Sequence, residues 1–198
     1  MITTTNIDRI GRNAYAATLE DGLTEVMLGV FLCIVSGSML TPFSGIAIVF
    51  LPALIMAVKK LKGRYTYPRT GYAEVKRQDT KKLLLGMAVF SAVPVALFIT
   101  VFLLAGPSAD TKALYRWMPV LIGTIMSGGM YATWKQSGLG RFLAYAILSP
   151  LAGAAVAMFP HEHKLEAVSL WALAMAVMFA VTGAWHLVRF LRTAGAKT

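Results

Sequence analysis

The sequence predicts an all-α integral membrane protein, a bundle of six membrane-spanning helices arranged as three antiparallel hairpins. Both termini are expected in the cytoplasm, with a short β-hairpin-like loop on that side between the second and third spans. Three observations lead there. Of the 198 residues, 57% are hydrophobic and 14% charged, against roughly 45–50% apolar and about 25% charged in an average soluble domain. A soluble core of this size hides only about 70% of the chain's surface, so lipid is needed to cover the excess. Six apolar stretches reach or approach the ~20 residues a spanning helix requires, and basic residues gather in alternate connections. The same composition excludes a disordered chain, a collagen-like one and a disulfide scaffold, since Cys33 is the one cysteine.

The first 22 residues contain Asp8, Glu20 and Asp21 and lack an apolar stretch, so they are expected to be retained and not cleaved as a signal. Ile7, Ile10, Ala14 and Ala17 recur at helical spacing beside Arg9, Arg12 and Tyr15, which suits a short helix on the inner leaflet; a frayed polar tail is the alternative. The spans follow as Leu23–Leu40, Phe43–Val58, Leu83–Gly106, Met118–Trp134, Phe142–Phe159 and Ala167–Val188. The turns TPFSG, KQSGLG and PHEHKLE break the helical pattern with glycine and proline and make neighbouring spans antiparallel. Pro107, Pro119 and Pro160 fall at expected span ends, whereas Pro52, Pro94 and Pro150 fall inside and bend their helices. The chain is thus expected to be one transmembrane domain. Its parts are an interfacial segment at 1–22, spans one and two at 23–58, a basic loop at 59–82, spans three and four at 83–134, spans five and six at 135–188, and a tail at 189–198.

With the ends inside, sixteen of the nineteen basic residues face the cytoplasm against six acids, while the outer side holds three of each. The entire net charge of +10 then lies on one side, as retention of positive loops requires. That reading accounts for the basic character without nucleic acid, for which no loop is long enough to fold into a base-reading module. Absence of targeting signals and disulfides points to a plasma (inner) membrane, bacterial in the simplest case.

Packing between helices in lipid relies on small residues that let backbones approach. Such rows occur at Gly29, Cys33 and Gly37; at Gly123 and Ser127 beside Thr124 and Gly128; at Ser149, Gly153 and Ala157; and at Ala172, Ala176, Ala180 and Ala184. They are expected to join the spans to one another; the alternative gives the alanine row of the last span to a protein partner or a second copy of the chain.

Ionisable side chains within a span are costly and mark function by default. Glu25 comes closest to that condition. It lies one turn after Asp21, so the two carboxylates share a face at the cytoplasmic end of the first span. They need a cation, and the loop RYTYPRTGYAEVKR offers Arg64, Arg69, Lys76 and Arg77. PRTG forms a turn, and the tyrosines around it, Tyr67 and Tyr72 among them, favour strands. The expectation is a hairpin on the inner leaflet with Arg69 or Arg64 paired to Glu25 or Asp21, offering a contact for anionic inner-leaflet lipid or for a partner. His186 follows Trp185 near the inner end of the last span as an interfacial anchor, with a proton relay to Glu25 as the alternative.

His161 and His163, with Glu162 and Glu166, have metal-ligand character, but position 165 is Leu165, which breaks the HExxH spacing; a hydrated turn is expected and no metal. No nucleophile elbow, phosphate-binding loop or dinucleotide fingerprint occurs, so no cofactor is expected and an enzyme is disfavoured. In topology the pattern resembles membrane subunits of ATP-driven transporters and small substrate-capturing transporter subunits, a likeness that brings no sites with it. The leading expectation is a non-enzymatic membrane-embedded subunit or regulator that meets partners through its basic loop. A self-standing small-solute transporter comes second. An inner-leaflet enzyme built on Asp21, Glu25, Arg69 and His186 comes third.

Overall fold

The computed structural model describes residues 15–41, 46–66, 88, 90, 92–100, 103, 111–161, 163 and 165–195. Among them all regular structure is helical and no strand occurs. A short helical turn at 15–19 precedes α1 (Leu23–Met39) and α2 (Ile46–Leu61), which runs on into a π-helical turn, Lys62–Thr66. Residues 92–100 are helical, and α3 (Thr111–Ser137), α4 (Gly140–Ala157) and α5 (Glu166–Gly195) complete the chain. Among the described residues two helices are long and apolar enough to cross a membrane, Gly140–Ala157 and Glu166–Arg192; α1 is apolar but shorter, at 17 residues.

Three helices overrun the apolar stretches that announced them, because hydropathy marks the oily part of a helix and not its polar ends. α2 continues past Val58 through Lys59 and Lys60, which are good helix formers. α3 starts at Thr111, so Pro119 lies well inside it and not at its end. α5 continues past Val188 through Arg189 and Arg192 to Gly195. The β-hairpin expected from RYTY begins wrongly: Arg64, Tyr65 and Thr66 lie in the π-helical turn. There the helix already under way outweighs the strand preference of tyrosine, a preference set more by context than by backbone. The remainder of that loop lies outside the described residues, as do residues 1–14 of the proposed interfacial helix.

The chain forms two compact units. The first comprises residues 1–76, 136–138 and 173–198, the second 77–135 and 139–172. In the first, α1 lies against α2 and crosses the later part of α5 in antiparallel sense. A Cβ on Gly29 would fall 2.9 Å from the Ala180 nitrogen and 3.0 Å from the Ala176 oxygen, and one on Gly183 would fall 2.7 Å from the Val26 nitrogen. Helix backbones touch at these points, a closeness that only small residues permit. Ala176 of the alanine row thus serves this internal contact, while Ala184 is exposed.

In the second unit α3 and α4 are antiparallel and equally close. A Cβ on Gly123 would lie 2.7 Å from the Ser149 oxygen, and one on Gly153 would lie 2.6 Å from the Pro119 oxygen. The hydroxyl of Ser149 donates to the Gly123 carbonyl at 3.0 Å, and the indole of Trp171 donates to the Ser149 carbonyl at 3.1 Å, both buried. Arg116 closes the end of α4 by donating to the Ala157 and Met158 carbonyls, groups that have no intrahelical donor.

Candidate functional site

The strongest concentration of buried charge among the described residues lies at the start of α1. The helical turn at 15–19 and α1 are separated by a tight corner at which Gly22 takes φ of +70°, a left-handed conformation that glycine reaches without cost. Glycine is also required for space, since a Cβ would lie 2.9 Å from the His186 Cβ and meet the Gly183 carbonyl. Asp21 turns its carboxylate back onto the chain, accepting from the Leu23 amide at 3.1 Å, the local bond that makes aspartate a corner residue.

Asp21 and Glu25 are both fully buried. The cation beside them is Lys62, the first residue of the π-helical turn. Its ammonium donates to the Thr18 carbonyl at 2.7 Å and to the Thr24 hydroxyl at 3.0 Å, and lies 3.8 Å from Asp21 Oδ1. Burial pushes the Lys62 ammonium below the ordinary lysine range, against the opposing pull of the Asp21 and Glu25 charges. Tyr15, at the edge of the same region, is pushed up by burial.

The face of Glu25 is set by α5. A Cβ on Gly183 would come 2.9 Å from the Glu25 Cβ, and His186 follows Gly183 by one helical turn on the same side. The structure therefore brings Glu25 and His186 to the crossing of α1 and α5, with Asp21 in the corner just before it and Lys62 beside Asp21. Lys62 stands beside Asp21; Arg64 is exposed on the π-helical turn, while Tyr67, Arg69 and Tyr72, and with them the expected pairing of Arg69, lie outside the described residues.

Helix phase accounts for the place of Lys62. Leu51, Leu54 and Val58 form the partly covered stripe of α2, and continuing that spacing by four reaches Lys62. Hydropathy alone ends the stripe at Val58 because Lys59, Lys60 and Lys62 are charged.

The outer turn assembles differently. One ring nitrogen of His161 lies 2.9 Å from the Val156 carbonyl, and His163 is exposed, its backbone amide donating to Glu166 at 3.3 Å. Among the described residues no group of three metal-ligating side chains comes together. The chemistry the arrangement supports is thus holding a cation or a proton at the α1–α5 crossing. Comparisons with protein-family models, with characterised proteins and with solved structures give no match for this chain.

Proposed function

We propose that this protein is a non-enzymatic, multi-pass protein of the bacterial plasma membrane, a six-span bundle with both termini cytoplasmic. In this reading it serves as a membrane-embedded subunit or regulator of a larger assembly and meets anionic lipid and its partner through the basic loop. The observation that carries this reading is the distribution of exposure. Large apolar side chains stand outward along α2, α4 and α5, with Met56 71%, Leu151 57%, Val181 64% and Trp185 70% exposed, whereas Lys59, Lys60, Arg64, Arg189 and Arg192 are exposed only beyond those stretches. Water tolerates scattered apolar residues but not faces of this extent. The buried charges sit at a helix terminus and not at mid-span, which favours a structural or coupling role.

A transporter is the second reading, favoured by proline within α2, α3 and α4, since discontinuous helices line many transport sites. Reporter fusions after Lys62 and Lys135 test the topology, and both are expected to report from the cytoplasm. For function, the native mass in mild detergent is compared before and after reversing the charge of Arg64, Arg69, Lys76 and Arg77. The subunit reading expects a mass above that of the chain alone that falls on reversal; an unchanged monomer whose vesicles take up solute overturns it in favour of transport.

A further inference from the structure

The part of α5 that belongs to the first compact unit has two unlike sides. Met175, Ala176, Phe179 and Gly183 are buried, and the backbone at Ala176, Ala180 and Gly183 meets α1. The other side carries Leu173, Val177, Val181, Trp185 and Val188, all exposed, at the three- and four-residue spacing of one helix face. Ala174 and Ala184 are exposed among them, but a bulky side chain at every turn keeps a further helix backbone from approaching as α1 does. Close helix contact needs the reverse arrangement, so this face suits acyl chains better than another span.

The same face ends in positive charge. Arg189 and Arg192 are exposed and follow Trp185 by four and seven residues, which sets them roughly 40° to one side of it and 20° to the other, about 6 and 10 Å further along the axis. α5 holds no acid beyond Glu166, so nothing on the helix itself neutralises the pair. Tryptophan marks the level at which hydrocarbon gives way to headgroups, and the guanidinium fork matches phosphate oxygens two at a time. From Trp185 back to Leu173 the apolar face runs about 18 Å, close to one leaflet's half of the ~30 Å hydrocarbon core. Charge, aromatic marker and apolar length therefore match one molecule of lipid, from phosphate to chain end.

We propose that the Trp185–Arg189–Arg192 end of α5 binds an anionic phospholipid, its phosphate held between the two guanidinium groups and its acyl chains lying along Val181, Val177 and Leu173. The inference rests on the membrane reading above and adds, to the diffuse attraction of the basic loop, a lipid position of defined place.

The test uses the full chain carrying Trp117→Phe and Trp134→Phe, so that emission comes from Trp185 and from Trp171, which is buried. It is reconstituted at physiological salt in mixtures of phosphatidylcholine and phosphatidylglycerol, one or the other brominated near the headgroup, and the two quenching curves give the relative affinity at Trp185. Phosphatidylglycerol is expected to be favoured by about fivefold or more, and Arg189→Gln with Arg192→Gln to bring the ratio to about one. Lys59→Gln with Lys60→Gln removes the same charge from α2 and is expected to change the ratio by less than about twofold, since screening at that salt leaves mainly the contact itself. Equal quenching by both lipids, or an equal loss with the two lysine substitutions, overturns the site. If neither lipid quenches Trp185 in protein that floats with the vesicles, the proposal is overturned in favour of a second copy or a protein partner on this face. Protein that does not float with vesicles overturns the membrane reading, and the lipid position with it.

Discussion

Alanine at Gly29 and alanine at Gly37 ask the same helix for opposite responses. Both glycines lie within α1, where replacing glycine by alanine gains up to about 1 kcal/mol of helix propensity. At Gly37 no atom lies within 4 Å of the new methyl group, so the gain is kept and the protein is stabilised by about 0.5–1 kcal/mol. At Gly29 the methyl would sit 2.9 Å from the Ala180 nitrogen and 3.0 Å from the Ala176 oxygen. These are backbone atoms of α5 and cannot rotate away, so α1 and α5 must separate. Overpacking of this kind costs about 1–3 kcal/mol. Propensity cancels in the difference between the two variants, leaving Gly37→Ala more stable by about that steric cost of 1–3 kcal/mol. Reversible denaturation of the two proteins in the same detergent, followed by circular dichroism, measures that difference directly. A Gly29→Ala protein as stable as Gly37→Ala would refute close backbone contact between α1 and α5, and with it the crossing that gathers Glu25 and His186.

Asp21→Asn is expected to destabilise the protein by about 2–4 kcal/mol, since it leaves a largely buried ammonium with less countercharge, and less than additively when combined with Lys62→Met in the same denaturation assay. The lowered pKa of Lys62 means that the folded chain binds fewer protons than the unfolded one between the depressed value and the ordinary 10.5, so this group's contribution to stability rises with pH through that window and is lost below it. Lys62→Arg, which keeps its charge there, is expected to lose that slope in melts taken across the alkaline range. Trp171→Phe removes the bond to the Ser149 carbonyl and should cost about 1 kcal/mol beyond its lost volume, visible as a lower midpoint. Arg116→Ala should cost about 1–2 kcal/mol by leaving the last carbonyls of α4 without their charged donor, and is expected to raise hydrogen exchange in the turn that follows.

Composition and hydropathy were enough to read the helical class and to place α1, α4 and α5 within a few residues at their apolar ends. The spacing of Asp21 and Glu25 was enough to put the two carboxylates together at the start of α1, Asp21 in the corner that precedes it. The extension of α3 back to Thr111 was not legible, because TKALYRW is polar and helices may begin in polar sequence whenever an apolar stretch follows. Neither was the cation. The basic loop holds nine lysines and arginines, and guanidinium at a turn tip is as good a partner for carboxylate as any of them. Helix phase is what brings Lys62 beside Asp21: it continues the Leu51–Leu54–Val58 stripe, while Lys59 and Lys60 point away from it and are exposed. The approach of His186 to Gly22 depends on a crossing between segments more than 160 residues apart, which no local pattern encodes.

The π-helical turn at Lys62–Thr66 accommodates one residue more than an α-helical pitch demands. Removing Gly63, whose added Cβ would touch nothing within 4 Å, would let the turn relax to ordinary α winding and leave the lysine where it is, with the helix end in nearly the same phase because the wider turn had already absorbed the extra residue. A single-codon deletion at this point is therefore expected to be close to silent, the charge cluster being spared.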